Sequence, residues 1–445
     1  MIPSEQVCYL NISAPPKEIE SPATTYPRIG LLCLLGITLH LFLTEPVLLR
    51  FGIHYADENN GLFEKLHPGT YVIILSFVML LIRSRHPLTT IGRLHKPEGI
   101  YTTFLSIYVL IFSYMVARSS AKGLSFLIDT QICAVMAATV LCYTPVSYCR
   151  RALYIFIGFA VANSLIGICE GMTKWRLFEF DPTSSIAKEP NFRASALLGH
   201  PLSNAIFTSV MLFVTLGVRL STFVKLVAST IFLISLVAFG GRTGLIVSCL
   251  GVGVLGLIHI KHARSTRSLT LLQMFLLLAG IIIVPALCLS GLYVLINSSM
   301  GERLLTDITF SDSSAASRAL AWRVFNYIKP EELIFGMAPS RVIEIMDRMN
   351  LSMQLYQIEN PWILMFMHLG LVAFPIWLAA TFALMWRLMY RNPLAIKLAV
   401  VAYLVIASGS NSFGVKGSMY LLMVSAVICA SRSVLTENPS TTAKR

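Results

Sequence analysis

The chain has 445 residues, 56% of them hydrophobic and only 13% charged, with a mean hydropathy of +0.72. Soluble domains carry about a quarter charged residues. Half that fraction, together with repeated long apolar runs, excludes a soluble enzyme, a nucleic-acid module and a disordered scaffold. The net charge of +13 then points to membrane anchoring and to anionic lipid or substrate, not to nucleic acid.

Residues 1–28 are polar and Pro-rich and read as a cytoplasmic tail. The first apolar run begins near Ile29, too late and too long for the apolar core of a cleavable signal peptide. Apolar runs follow at about 29–49, 69–82, 99–117, 124–143, 152–170, 202–218, 226–240, 244–260, 270–296, 362–386, 394–409 and 417–430. The second and the last are short for a span. The expected fold is an all-α polytopic membrane bundle of about twelve transmembrane helices. Spans one to nine occupy 29–296, a large loop 297–361, spans ten to twelve 362–430, and a second cytoplasmic tail 431–445. The nine cysteines include no CxxC pair and the histidines are scattered. Neither a metal nor a cofactor is expected, and the cysteines read as small buried hydrophobes.

The short loops alternate in character. One set holds Arg83, Arg85, Arg93, Lys96, Arg150, Arg151, Arg219, Lys225, Lys261, Arg264, Arg267, Arg387, Arg391 and Lys397, with Glu98 as its one acid. The positive-inside rule places this set, and with it both termini, in the cytoplasm. The mixed-sign loops, including 171–201 and 297–361, then lie outside. Within 297–361 a helix is expected over Ser317–Ile328, stopped by Lys329-Pro330, with Arg318, Trp322 and Phe325 on one face. A second helix should start after Ala338 with Pro339 in its first turn. Val342, Ile345, Met346, Met349 and Met353 line one side of it. Such helices pack on the bundle or lie on the bilayer; a lid over a cavity is the functional alternative.

Several outer cations run against the charge rule. Arg193 precedes the sixth run, and Arg242 sits in the tight turn Phe239-Gly240-Gly241-Arg242-Thr243-Gly244. Arg318 and Arg323 flank Trp322, and Lys416 lies in a Gly/Ser-rich turn before the last run. Snorkelling to headgroups is the plain explanation. Converging on one cavity, the same guanidinium groups would clamp a pyrophosphate, since each is planar, permanently charged and bidentate toward phosphate oxygens. Asn360-Pro361 reads as a helix cap followed by a first-turn proline. Glu359 beside it is a helix-end charge or a general base facing the arginines. His368, further along that span, is a packed polar residue or the next candidate base.

Four segments in this order resemble the O-antigen ligase and polysaccharide polymerase superfamily of bacterial inner membranes. They are Arg193–Asn204 (RASALLGHPLSN), Phe239–Gly244 (FGGRTG), Ser317–Gly336 (SRALAWRVFNYIKPEELIFG) and Glu359–Leu371 (ENPWILMFMHLGL). The resemblance implies a multi-span glycosyltransferase in the inner membrane, working at the periplasmic face. Its donor would be an oligosaccharide on undecaprenyl pyrophosphate and its acceptor a second glycan, with membrane lipid around it and a chain-length regulator as a candidate partner. By motif position Glu359, Arg242 and Arg318 would be catalytic. Arg193, Arg323, Trp322, Asn360, Lys416 and His368 would bind substrate. Ligases of this superfamily carry histidine where this chain has Glu359, which favours a polymerase of O-antigen or exopolysaccharide. A ligase acting on lipid A-core is the alternative. A lipid-linked-sugar flippase would need mid-span polar residues, of which Asp129 is the main one, and the motifs of peptidoglycan polymerases are missing.

The loop alternation predicts that a reporter fused after Ser313 is active only if it works outside the cytoplasm, and one after Thr442 only if it works inside. The reverse pattern would remove the topology and every outer site built on it.

Overall fold

The computed structural model describes residues 25–53, 55, 66–83, 99–119, 123–179, 192–265, 321–349, 358, 360–410 and 412–435. Among these the chain is all-helical, without a strand. In order come α1 (Pro27–Phe42), α2 (Glu45–Arg50), α3 (Pro68–Arg83), α4 (Gly99–Ser119) and a π-helical turn (Leu127–Ile132) leading into α5 (Cys133–Cys142). They are followed by α6 (Val146–Thr173), α7 (Pro201–Gly217), α8 (Thr222–Ala238) and α9 (Arg242–Ser265). A 3-10 turn (Trp322–Tyr327), α10 (Pro330–Phe335), α11 (Pro339–Arg348), α12 (Pro361–Met389), α13 (Leu394–Ser408) and α14 (Met419–Leu435) complete the described chain.

Four stretches are long and apolar enough to cross a membrane: Ile100–Arg118, Val146–Thr173, Arg242–His259 and Pro361–Met389. Shorter apolar helices stand at each of the other expected runs except 270–296, which lies outside the described residues. Proline opens α1, α7, α10, α11 and α12, where its missing N–H costs nothing and its fixed φ suits the first turn.

The last apolar run is the centre of the bundle. Every residue of 419–430 in α14 and of 204–215 in α7 is buried. Helix α14 packs on α5, α6, α7 and α13, and α7 packs on α8, α9 and α13. A helix surrounded by other helices does not face lipid. It can therefore carry Tyr420, Ser425, Ser431 and Ser433, which lower its hydropathy.

Side-chain ties gather the helix ends at two poles. The Tyr26 amide bonds the Tyr143 carbonyl (3.0 Å), and Arg432 reaches the Cys142 and Thr144 carbonyls, at one pole. The opposite pole, called upper here, joins the end of α8, the start of α9, the segments before α3 and α7, the 321–349 elements and the turn before α14. Basic residues of the short loops, such as Arg150, Arg151, Arg219 and Arg391, sit at the lower pole.

The span expected at 362–386 is broken in its upper third. Gly370 has φ 63° and ψ −175°, which interrupts α12. Helix α10 docks into the break. The Met337 amide donates to the Met367 carbonyl (2.8 Å), one turn before the interruption, and the Tyr114 hydroxyl from α4 donates to the Phe335 carbonyl (2.7 Å). Gly336 faces Gly370 with φ 77°. The 321–349 elements thereby pack on the bundle through a second apolar cluster that includes Val324, Val342, Ile345, Met346, Ile363 and Met367. Of the helix expected over Ser317–Ile328, residues 321–328 are described: Ala321 is α-helical, Trp322–Tyr327 form a 3-10 helix, and the segment ends before Lys329-Pro330; α10 was not read from the sequence.

A Cβ at Gly336 would lie 2.3 Å from the His368 carbonyl, and one at Gly370 2.3 Å from the Gly336 amide nitrogen. Both backbones also occupy a region open almost only to glycine, at a cost of about 1–3 kcal/mol for other residues. Gly336→Ala and Gly370→Ala should each lower the melting temperature of the purified protein. Gly253→Ala, on open helix surface, should leave it unchanged or raise it; equal effects in all three would mean that the dock is unimportant.

Candidate functional site at the upper pole

Residues 192–200 cross the upper pole without regular structure, so their backbone amides need partners. Helix α6 supplies them. The Glu170 carboxylate, buried near the end of that helix, accepts the amides of Leu177 (2.8 Å), Ser195 (2.7 Å) and Ala196 (2.9 Å). One turn pair earlier, Asn163 accepts the Leu197 amide (2.9 Å) and donates to Asn204 of α7 (2.8 Å), which donates to the Ser195 and His200 carbonyls. Positive φ at Ala196 (39°) and Gly199 (73°) bends the segment. A Cβ on Gly199 would meet the Pro46 ring at 2.2 Å, so α2 lies directly on it.

This scaffold fixes Arg193. Its side chain is buried, and Nε donates to the Phe239 carbonyl (3.3 Å). The neighbouring Ala194 amide donates to the Ala238 carbonyl (3.1 Å). Gly240, with φ 64°, lies under the arginine; a Cβ there would stand 3.4 Å from Nε. Arg242 opens α9 from the same turn and is half-buried. The structure thus brings together the Arg193 segment and the Gly-Gly-Arg turn. His200 caps α7, its Nδ1 accepting the Leu202 amide (3.2 Å). Burial, with Arg193 beside it, lowers the imidazole to about 4. The ring is neutral at pH 7, and Nε2 keeps its proton as a donor.

A second polar cluster lies across α2. Lys416 donates to the Tyr55 carbonyl (2.8 Å), with Nζ 4.9 Å from that residue's ring centre. The Tyr55 hydroxyl donates to Asp129 (2.7 Å), which also accepts the Thr70 hydroxyl (2.7 Å) and the His67 amide (3.2 Å). Because Thr70 donates to Asp129, its oxygen must accept from His40 Nε2 (3.0 Å). His40 Nδ1 is then left to accept from Ser418 (2.9 Å). His67 stacks on His40 with ring centres 3.8 Å apart. Burial holds the His67 imidazole down at about 4, so Nδ1 accepts the Gly69 amide (3.0 Å) and Nε2 donates to the Leu43 carbonyl (2.7 Å). Thr44 joins the two clusters: its hydroxyl donates to the Leu197 carbonyl (2.8 Å) in the Arg193 segment.

The remaining described candidates stand on other elements, the 3-10 turn and α12. Trp322 is exposed and stacks on Phe325 (5.9 Å), and Arg323 is exposed beside it. The Asn360 side chain accepts the Trp362 and Ile363 amides (3.0 and 3.1 Å), so its oxygen is used as a helix cap. His368 is buried at the α10 dock, 5.6 Å from the Phe126 ring centre, with Nδ1 unpartnered. Arg318 and Glu359 lie outside the described residues, as does Met353 of the expected amphipathic face.

Comparison with family models and with curated proteins yields no match.

Sequence reasoning did not single out Glu170, Asn163, Tyr55 or His67. The available signal was a charge inside an apolar run, which needs partners. It was followed at Asp129 and not at Glu170. Glu170→Ala would leave the buried amides of Ser195 and Ala196 without acceptors, at about 1–3 kcal/mol each, and the part-buried amide of Leu177 with them. The expected result is a clearly lower melting temperature and fast hydrogen exchange at Leu177, Ser195 and Ala196. Exchange unchanged at those amides would mean that something else orders the segment.

Proposed function

We propose that the chain is a polysaccharide polymerase. It would join undecaprenyl-pyrophosphate-linked oligosaccharide repeats at the periplasmic face of the inner membrane, within a twelve-span topology with both termini cytoplasmic. One observation carries the reading: Arg193 and the turn that carries Arg242 meet at one pole of an apolar bundle, on a scaffold of buried hydrogen bonds. A guanidinium held in a water-poor setting stabilises a departing diphosphate because its charge and donor fork are in place before the charge develops.

In this reaction an acceptor hydroxyl attacks the anomeric carbon of the donor. The carbon–oxygen bond to the diphosphate breaks, and its electron pair leaves with the phosphate oxygen. Arg193, Arg242 and Arg318 would hold that diphosphate. Glu359, which precedes Asn360 in the sequence, would take the hydroxyl proton as general base. His200 adds one neutral N–H donor beside Arg193. The same polar pole would serve a ligase transferring glycan to lipid A-core. A flippase for lipid-linked sugar is favoured by a different observation, the buried Asp129 with its paired histidines. Consumption of lipid-linked oligosaccharide by purified protein in detergent separates enzyme from flippase, because transport cannot occur there.

Lysine lacks the guanidinium fork. Arg242→Lys and Arg318→Lys should therefore each cost about 3 kcal/mol of transition-state stabilisation, or about a hundredfold in rate. Glu359→Gln should cost about 100- to 10,000-fold, and Glu359→His should keep part of the activity. Cells making only the impaired variants should lose long polymer and accumulate the lipid-linked repeat at normal protein abundance. Near-normal polymer in both arginine variants would leave snorkelling as their role.

A further inference from the structure

Helix α6 has 28 residues, about 42 Å at 1.5 Å per residue. The hydrocarbon core of a bilayer is about 30 Å thick and the whole bilayer about 40–45 Å. The upper end of α6 therefore reaches the headgroup layer. One face of the helix is exposed along its length: Ile155, Gly158, Ala162, Leu165, Cys169 and Met172, spaced alternately three and four residues apart. The opposite face, with Asn163 and Glu170, is buried in the bundle. A single apolar stripe thus runs up α6 toward the headgroup level.

Three cations stand at the top of it. Lys174 ends α6 in a left-handed conformation (φ 59°) and lies 5.3 Å from the Phe192 ring centre. Arg176 lies 4.4 Å from the same ring and donates from Nε to the Arg193 carbonyl (3.3 Å). Arg50, from α2, lies 5.0 Å from the Phe178 ring and donates to the Leu177 carbonyl (3.3 Å). Aromatic faces hold all three, and a ring carries no charge to offset that of Arg50 or Lys174. Neither Arg50 nor Lys174 takes part in an ion pair. Glu179 is the one described acid between 171 and 179, and it is exposed. Phe51 (71% exposed) and Trp175 (63%) flank the cations as apolar rings at the same level, the usual composition of a membrane interface.

We propose that Arg50, Lys174 and Arg176 form a headgroup-phosphate site for an anionic phospholipid of the adjoining leaflet, with an acyl chain lying on the exposed stripe of α6. The charge selects an anionic over a zwitterionic headgroup, and the stripe selects a lipid over a free phosphate. Cations at a membrane surface each contribute about fivefold in affinity for anionic lipid, so three contribute about a hundredfold. The assignment needs only a membrane-embedded chain and is independent of the polymerase reading.

The test titrates the purified full-length protein, in a zwitterionic detergent, with phosphatidylglycerol and counts bound lipid by native mass spectrometry. Phosphatidylcholine of equal chain length and glycerol 3-phosphate are the comparison probes. The expected order is tight phosphatidylglycerol, weak phosphatidylcholine and no competition from glycerol 3-phosphate. The triple variant Arg50→Gln, Lys174→Gln, Arg176→Gln should bind about a hundredfold more weakly, and Arg348→Gln on α11 should bind normally. If the triple variant does not fold, Arg50→Gln and Lys174→Gln singly should each weaken binding about fivefold. Unchanged affinity in the variants, or equal binding of the two phospholipids, overturns the site. Full competition by glycerol 3-phosphate would make it a site for soluble phosphate and overturn the lipid assignment.

Discussion

The carboxylate of Glu170 accepts three backbone amides from a segment with no regular structure of its own. A buried amide without an acceptor costs about as much as a whole hydrogen bond. An irregular segment at the end of an apolar bundle is therefore stable only where a side chain takes over the role of the missing helix. Glu170 does this for Leu177, Ser195 and Ala196 at once, and so ties residue 177 and residues 195–196 to one point. The register of Arg193 against the α8–α9 turn, the exposure of Lys174 and the direction in which α7 starts all follow from that tie. Oriented N–H dipoles thus satisfy both oxygens of the Glu170 side chain.

The second cluster uses the same device with longer reach. Asp129 is held by Tyr55, Thr70 and the His67 amide, and it sits in a π-helical turn. Such a turn widens the helix and frees local backbone, and it recurs at polar sites inside helices. Here it turns Asp129 toward α3 and leaves Thr130 and Gln131 to bond the Val415 and Phe413 carbonyls before α14. The Thr130 hydroxyl also reaches the Gly417 carbonyl (3.4 Å), so the backbone is held on both sides of Lys416. Helix α2, six residues long, links the two clusters, with Thr44 on Leu197 and Pro46 against Gly199.

Much of the helical pattern was legible in the sequence because an apolar run in a low-charge chain has few alternatives to a helix. Prolines at first turns marked several of the starts. What hydropathy could not rank was position. The run at 417–430 looked marginal because it is short for a span, yet it forms the enclosed helix α14, where Tyr420 and Ser425 are tolerated because other helices surround them. The break at Gly370 was equally hidden. Glycine within an apolar run reads as a packing residue, and its unusual φ is set by Gly336 and Met337, distant in sequence.

The candidate site was legible where chemistry and local turn coincide. Arg242 stood out through its flanking glycines, and Arg193 through its place before a span. Their meeting depends on the Arg193 side chain donating to the Phe239 carbonyl and the Ala194 amide to the Ala238 carbonyl, which no spacing rule encodes. Asn360 shows the reverse case: a residue of suggestive type whose oxygen is already committed to two helix amides. Lys416 differs from both, since its ammonium is held by the Tyr55 carbonyl while the carboxylate of Asp129 lies on the far side of the same tyrosine. One residue thus separates a buried anion from a half-exposed cation. The ammonium is thereby held at Tyr55 from two directions, by the carbonyl oxygen and by the face of the ring.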